Sequence, residues 1–287
     1  MLEQRDKNAQ AALIDTLQAV MSGHHARSAP TKLDNLDEID SQKALKFFKE
    51  RFAGADDFTF SFVGDFDEAE MEEYIKTYIA SLPSTPGESA FEDTGLRRAK
   101  GKITRNVYKG EDPKSFVVLM HTGPGQYNPK ERFALRALSE VMNIRLREQI
   151  REEKGGVYSI ASQANVDKYP YERYGVFVFF GCDPDRSTEL ADAVKEEILY
   201  LQQTTVDESY VQKVKEILTK EREVGRSTNG FWMSSIMQVD QYGEPWSVID
   251  QRDKQIADLT VSVVQGAAKK YLDTENVALF IQLPAQQ

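Results

Sequence analysis

The side chains that most often perform enzyme chemistry are scarce in this sequence, which contains three histidines and one cysteine among 287 residues. His24 and His25 are adjacent, and His121 lies far from them along the chain. A zinc site takes three or four His, Cys or carboxylate ligands at short spacings, and neither H-E-x-x-H nor H-x-x-E-H occurs. Cys182 has no histidine nearby in sequence to activate its thiol. We therefore expect neither a metal site nor a nucleophilic cysteine in this chain.

One segment combines an arginine, a glycine turn and a tyrosine in a way that suits transition-state stabilisation. Arg151 lies near a predicted helix end, Gly155 and Gly156 turn the chain, and Tyr158 begins a predicted strand. An arginine offers a rigid fork of donors for peptide carbonyls, and a phenol can donate a hydrogen bond to an oxyanion. The alternative is that Arg151 belongs to a solvated helix end and Tyr158 to the core. On these residues alone, the alternative is the preferred interpretation.

The charge balance excludes some classes of partner. Lys and Arg number 36 against 46 Asp and Glu, so the net charge is −10, and the pI is near 5.0. An acidic surface repels phosphate backbones and anionic lipids. No apolar run approaches the ~18 to 20 residues of a membrane helix. We expect no nucleic-acid partner and no membrane insertion.

Residues 1–83 are predicted to contain three helices and a single strand. Helical periodicity covers residues 8–21 and the segment that follows Asp40, and Asp67 is a suitable N-cap for a third helix. Residues 58–63 alternate with period two, which predicts a strand with one buried face. One strand cannot form a sheet, so this part is predicted to be incomplete.

The remainder of the chain divides into a linker and a larger domain. Residues 84–102 contain prolines and glycines without periodicity and are predicted to be a linker. The order of elements in residues 103–287 predicts an α+β fold, a mostly antiparallel sheet with helices packed on one face. The predicted strands are 103–108, 115–121, 157–164, 174–180 and 277–283. Residues 122–125, Thr-Gly-Pro-Gly, are interpreted as a turn, because they lack the lysine and the spacing of a phosphate-binding loop.

The segment 146–160 resembles the signature of the C-terminal half of the pitrilysin/insulinase family of zinc metallopeptidases. In that signature a helix end with an arginine is followed by glycine and, seven positions after the arginine, by a tyrosine. These positions are Arg151 and Tyr158 here. Residues 57–65 resemble the family's strand that ends in V-G-D or V-G-N, and residues 74–83 resemble the helix after it, which ends in Leu-Pro. The similarity is strongest to long bacterial insulinase-like proteases.

The resemblance, which covers most of the chain, implies a fold and a function. Family members have four homologous α/β domains in two halves that enclose a chamber, and the N-terminal half holds zinc on an H-x-x-E-H helix. Because this chain lacks that motif, residues 1–83 would be the end of a third domain and 103–287 a metallopeptidase-like fourth domain. The implied role is the non-zinc half of a zinc-dependent endopeptidase, inactive alone, in which Arg151 and Tyr158 bind substrate and stabilise the transition state.

The resemblance also implies partners and a compartment. The partners are the N-terminal zinc-bearing half of the same protein and peptide substrates, with no cofactor in this chain and zinc in the other half. The compartment is the bacterial periplasm or cell envelope, with the cytoplasm as the alternative. The alternative function is a catalytically inactive structural or assembly homologue of the same fold. Such a homologue need not keep both Arg151 and Tyr158, so their presence favours the peptidase half.

Overall fold

The computed structural model describes residues 2–84 and 91–285, and the chain forms two compact units. The first unit contains Met1–Thr31, Gly95–Lys220 and Asp250–Gln287, and the second contains Lys32–Thr94 and Glu221–Ile249. Part of the predicted linker, residues 85–90, lies outside the described residues. The assignment of residues 1–83 to a third homologous domain stays a prediction.

The described residues contain ten α-helices and five strands. The α-helices are α1 (Leu2–Lys7), α2 (Ala9–Met21), α3 (Ser41–Arg51), α4 (Glu68–Tyr74), α5 (Pro129–Leu146), α6 (Ser187–Gln203), α7 (Glu208–Arg226), α8 (Asn229–Tyr242), α9 (Ser247–Ala257) and α10 (Val261–Tyr271). The strands are β1 (Ile103–Tyr108), β2 (Ser115–Pro124), β3 (Val157–Asp167), β4 (Arg173–Cys182) and β5 (Val277–Leu283). Turns of π-helix, Ile75–Ile79 and Arg147–Lys154, continue α4 and α5. The five strands predicted within residues 103–287 are confirmed.

The strands of the first unit form one mixed sheet with the order β1-β5-β2-β4-β3. β1 runs parallel to β5, whereas the β5–β2, β2–β4 and β4–β3 pairs are antiparallel. The predicted fold class is therefore confirmed. β3 and β1 are the two edge strands of this sheet.

The predicted turn at residues 122–125 is wrong, because β2 continues through it to Pro124. The antiparallel ladder with β4 pairs Gly123 with Tyr174 and Pro124 with Arg173. A Cβ atom on Gly123 would lie 2.6 Å from the Tyr174 ring. The glycine is thus required by close packing of the neighbouring strand and does not mark a change of direction.

The main core lies on the face of the sheet that α5, α6 and α10 cover. Alternate strand residues point into it, as expected from the period of two, and Val117, Leu119, Val176, Val178 and Phe180 are completely buried there. Burial of this face by amphipathic helices is the main force that holds the sheet and the helices together.

α2 covers part of the opposite face of the sheet. Its side chains Leu13 and Met21 are buried in a second, smaller cluster with Val118, Met120 and Phe280 of β2 and β5. The helix predicted at residues 8–21 is thereby confirmed, and it adds a layer to the predicted single layer of helices.

The second unit corrects the prediction of a strand at residues 58–63. The segment forms no β-ladder with any described strand, and Phe58, Phe60 and Phe62 are 41%, 42% and 45% exposed. The alternating pattern is that of a strand, but a strand forms only when neighbouring strands accept and donate its backbone hydrogen bonds. The helices predicted on either side, α3 and α4, are confirmed, and Asp67 caps α4 by accepting from the Glu70 N–H at 2.9 Å.

Candidate functional site

Arg151 lies in the π-helical turn that extends α5. Ile150 beside it is buried and anchors this turn to the main core, while Arg151 points outward and is exposed. Within the described ranges Arg151 forms no hydrogen bond or ion pair. Its guanidinium is solvated, as the alternative interpretation expects for a helix end, and it is available to a ligand.

The glycine turn after Arg151 is fixed by Arg186. Gly155 and Gly156 have φ angles of +65° and +84°, which few residues other than glycine adopt. Arg186 donates from Nη1 to the Gly155 carbonyl at 3.1 Å and from Nη2 to the Lys154 carbonyl at 3.4 Å. A Cβ atom on Gly156 would lie only 2.1 Å from Arg186 Nη1. The arginine thus binds the carbonyls at the helix C-terminus and packs directly on the turn.

The carboxylate of Glu189 holds Arg186 in that position. Two parallel contacts join them, Nε to Oε2 at 3.0 Å and Nη2 to Oε1 at 2.9 Å. This bidentate geometry fixes the plane of the guanidinium. The sequence analysis missed Arg186, because the residue is remote in sequence from the turn that it supports.

Tyr158 is the extra residue of a β-bulge at the start of β3. Val157 pairs with Cys182 and Ser159 with Gly181, so Tyr158 has no partner in the ladder. A bulge redirects the side chains next to it, and here Tyr158 and Ser159 are both exposed although they are consecutive. Tyr158 is 64% exposed, so the alternative that it belongs to the core is wrong.

A cavity of about 880 Å³ opens beside the Tyr158 ring in the first unit. It lies at the end of the sheet between the start of α2 and the loop that joins β1 to β2. Charged side chains of both signs line it: Lys7, Lys109, Glu111, Asp112 and Lys114. Arg151 is not among the lining residues. The structure therefore places Tyr158 in a cavity and Arg151 on the surface before the same turn.

A buried ion pair joins the end of α5, directly before the π-helical turn, to α6. Arg145 donates from Nε and Nη2 to the carboxylate of Glu197 on α6, and the two side chains are only 9% and 8% exposed. Its guanidinium also lies 4.1 Å from the centre of the Tyr200 ring and 5.1 Å from that of Tyr210. Burial acts to lower the pKa of Arg145, but the hydrogen bond and charge of Glu197 raise it above its usual value. Arg145 is thus held charged inside the protein.

Glu148 ties the same turn to α7. Its carboxylate accepts from the Tyr210 hydroxyl at 2.6 Å and lies 3.3 Å from Lys213 Nζ. The hydrogen bond from Tyr210 lowers the pKa of Glu148, and it raises the pKa of Tyr210 to about 12. These contacts fix the segment that carries Arg151.

Cys182 and the three histidines are the remaining candidates for chemistry. Cys182 is buried, and burial raises the pKa of its thiol to about 11, which leaves it without the thiolate that a nucleophile needs. His24 and His25 follow α2, whereas His121 is buried in β2. Among residues 2–84 and 91–285, no three His, Cys, Asp or Glu side chains are grouped so that they could hold a metal ion. The helices of the same ranges are too short or too polar to cross a membrane.

Comparisons with known proteins identify relatives across most of the sequence. A family model described as the peptidase M16 inactive domain matches residues 38–218, more than half of the chain. Probable zinc protease PqqL of Escherichia coli (strain K12) is 25% identical over 240 residues, which cover 82% of this chain and 25% of that protein. A zinc protease PQQL-like protein of Arabidopsis thaliana is 22% identical over 247 residues, which cover 81% of this chain and 26% of that protein. The chain thus spans about a quarter of the length of these two relatives.

Solved structures share the fold. The periplasmic protease PqqL from Escherichia coli superposes with a TM-score of 0.80 at 21% identity, over 99% of this chain and 32% of that chain. A protease from Helicobacter pylori gives a TM-score of 0.83 at 17% identity, over 99% and 70% of the two chains. The peptidase M16 inactive domain from Pseudomonas fluorescens gives 0.79 at 18% identity, over 100% and 68%. With the family match across residues 38–218, the conclusion is that this chain belongs to the family of the peptidase M16 inactive domain.

Proposed function

We propose that this chain is the non-zinc C-terminal half of a zinc-dependent endopeptidase, and that it closes the chamber and binds the peptide. The observation that carries the proposal is the bulge that turns Tyr158 out of the sheet and into a cavity, directly after the turn that follows Arg151. Membership of the inactive-domain family and relatives named zinc proteases support it.

In this proposal one half of the enzyme holds the zinc, and this chain is the half that binds the peptide. Residues 1–83 would complete a third homologous domain and 103–287 would form the fourth. In this proposal, which the relatives named zinc proteases support, the N-terminal half would hold the zinc, and the metal would lower the pKa of a bound water there. The partners of this chain are accordingly that half and a peptide.

Tyr158 and Arg151 have different roles in this proposal. The Tyr158 hydroxyl donates a hydrogen bond to the carbonyl oxygen of the substrate as negative charge develops on it. The Arg151 guanidinium donates to backbone carbonyls of the bound peptide and holds it in register. The first contact strengthens in the transition state, whereas the second is already made in the ground state.

The central test removes the Tyr158 hydroxyl in a complete protein that carries both halves. Tyr158→Phe should lower kcat about 10²- to 10³-fold on a quenched fluorescent peptide, as removal of other oxyanion donors does. Zinc content and thermal midpoint should stay unchanged, because the ring remains. Tyr108→Phe is the matched control, since Tyr108 is an exposed tyrosine of β1 outside the cavity. Wild-type kcat in a folded Tyr158→Phe protein would refute the catalytic role.

Arg151 variants separate binding from chemistry. Arg151→Ala should raise KM as well as lower kcat, because ground-state contacts are lost too. Arg151→Lys keeps the charge but not the bidentate fork, so it should recover only part of the activity. An unchanged KM in both variants would contradict the substrate-binding role.

Two further measurements test the placement of the chain in a larger enzyme. The isolated chain should neither hydrolyse the peptide nor retain zinc stoichiometrically after purification, and one tightly held zinc per chain would contradict the proposal. We propose the periplasm as the compartment, because the Escherichia coli PqqL structure is that of a periplasmic protease. Cell fractionation tests this, and recovery of the complete protein with the cytoplasmic fraction would exclude it.

A further inference from the structure

A second cavity, of about 440 Å³, lies at the β1–β5 end of the sheet, beside α6. Its walls are mainly aliphatic and come from Ile103, Ile198, Leu199, Val277 and Leu279. None of these residues lines the cavity at Tyr158. A ligand in this second cavity must therefore present an apolar body.

His121 supplies the buried polar group of this cavity. The residue lines it and is only 2% exposed. Its Nδ1 lies 2.9 Å from the backbone carbonyl of Asp273, and since a carbonyl only accepts, Nδ1 carries the proton. Nε2 is buried and has no hydrogen-bond partner among the described residues.

The protonation of His121 decides what Nε2 can bind. Burial lowers the pKa of the imidazole below its usual range, and the Asp273 carbonyl opposes this only in part. The neutral ring with its proton on Nδ1 leaves a lone pair on Nε2. A buried acceptor without a donor is unfavourable, so a ligand that donates an O–H or N–H gains from this position.

The lysines that line the cavity give no preference for an anion. Lys102 Nζ lies 2.7 Å from Glu275 Oε1, and Lys195 Nζ lies 2.8 Å from Asp192 Oδ1. Both ammonium groups that line the cavity are therefore neutralised by a carboxylate, and a carboxylate ligand would have no proton to donate to Nε2.

We propose that this cavity binds a phenol, whose ring occupies the aliphatic walls and whose hydroxyl donates to His121 Nε2. Two sources carry this chemistry, a free phenol and a tyrosine side chain within a peptide. The site is separate from Arg151 and Tyr158, so the proposal does not depend on the proposed peptidase function.

The test uses the full 287-residue chain labelled with ¹⁵N-histidine. The probes are p-cresol and toluene, which differ by the hydroxyl alone. p-Cresol should shift the Nε2 resonance of His121 saturably, while His24 and His25 serve as internal controls that do not respond. Toluene should bind about tenfold more weakly, which corresponds to the loss of one hydrogen bond. The absence of a His121 shift, or equal affinity for the two probes, overturns the proposal, because the hydroxyl would then form no hydrogen bond with Nε2.

A variant and two peptides complete the experiment. His121→Phe keeps a ring of similar size and removes the acceptor, so it should lose the preference for p-cresol and bind toluene at least as tightly. If that variant fails to fold, the comparison of probes on the wild-type chain still decides. Gly-Gly-Tyr-Gly-Gly and its Phe counterpart distinguish the sources: a shift with the Tyr peptide assigns the site to tyrosine side chains, and a shift with p-cresol alone assigns it to free phenols.

Discussion

The buried Arg145–Glu197 pair permits a quantitative prediction about the stability of the first unit. Glu197→Leu leaves the Arg145 guanidinium in an interior where both side chains are less than a tenth exposed. Removal of one partner of a buried pair costs about 3–5 kcal/mol, since the remaining charge keeps its desolvation penalty. With a urea m-value of about 2 kcal/mol/M, the unfolding midpoint of the first unit should fall by roughly 1.5–2.5 M.

The assay must report the unit that contains the pair. Trp232 and Trp246 both lie in the second unit, so tryptophan fluorescence follows that unit. Cys182 is the one cysteine and is buried in the first unit, so its reaction with a thiol reagent in increasing urea follows the loss of the sheet. The predicted shift should appear with the cysteine probe.

Two further variants make the reasoning refutable. The double variant Arg145→Met/Glu197→Leu removes both charges and fills their space with apolar atoms, and it should recover most of the lost stability. Asp192→Asn removes an exposed ion pair with Lys195 on the same helix, and it should cost no more than about 1 kcal/mol. A Glu197→Leu midpoint within 0.5 M (roughly 1 kcal/mol) of the wild type, or a double variant no better than the single one, would refute the account.

Three other predictions concern two glycine substitutions, the reactivity of Cys182 and the pH dependence of stability. Gly156→Ala should destabilise the chain by about 1–3 kcal/mol in urea melts, because φ is +84° and Arg186 occupies the space of the new methyl group. Gly266→Ala within α10 is the control: a Cβ atom there would have no neighbouring atom within 4 Å, so this variant should stabilise the chain by about 0.5–1 kcal/mol. Alkylation of native Cys182 at pH 8 should be at least about a hundredfold slower than that of the unfolded chain, because a pKa raised from 9.0 to about 11 reduces the thiolate by that factor. The pKa of His121 is lowered in the folded state, so the unfolded state binds a proton more readily, and the free energy of unfolding should decline as pH falls below about 6.5. His121→Phe should weaken that decline in thermal melts between pH 7 and 5.

Local patterns in the sequence predict most of the helices and strands. The predicted strand at residues 115–121 and the predicted N-cap Asp67 correspond to β2 and to the start of α4 in the structure. The pattern at residues 58–63 fails because alternation describes side chains, whereas a strand also requires a neighbouring backbone. The turn predicted at 122–125 fails because glycine also serves close packing.

The supports of the candidate site are harder to predict, because they join distant positions. Arg151, the glycines and Tyr158 form one local motif, but Arg186 lies directly before α6. One signal was present: Arg145 and Glu197 each fall on the apolar stripe of a helix, with Val141, Met142 and Leu146 around the former. A charge on each of two such stripes indicates a buried pair. The bulge at Tyr158 has no comparable signal, since the register depends on β4.

The packing of α2 on the sheet has a practical consequence for recombinant expression. If residues 103–287 were produced alone, the face that carries Val118, Met120 and Phe280 would lose the helix that buries Leu13 and Met21 against it. A contiguous apolar surface on a sheet with two open edges is prone to self-association. We expect such a fragment to precipitate or to require detergent, whereas the same fragment supplied with a peptide of residues 1–31 should remain monomeric in size-exclusion chromatography. A fragment that stays in solution must therefore include α2, which covers this face of the sheet. Its N-terminal boundary does not coincide with the linker predicted from the sequence.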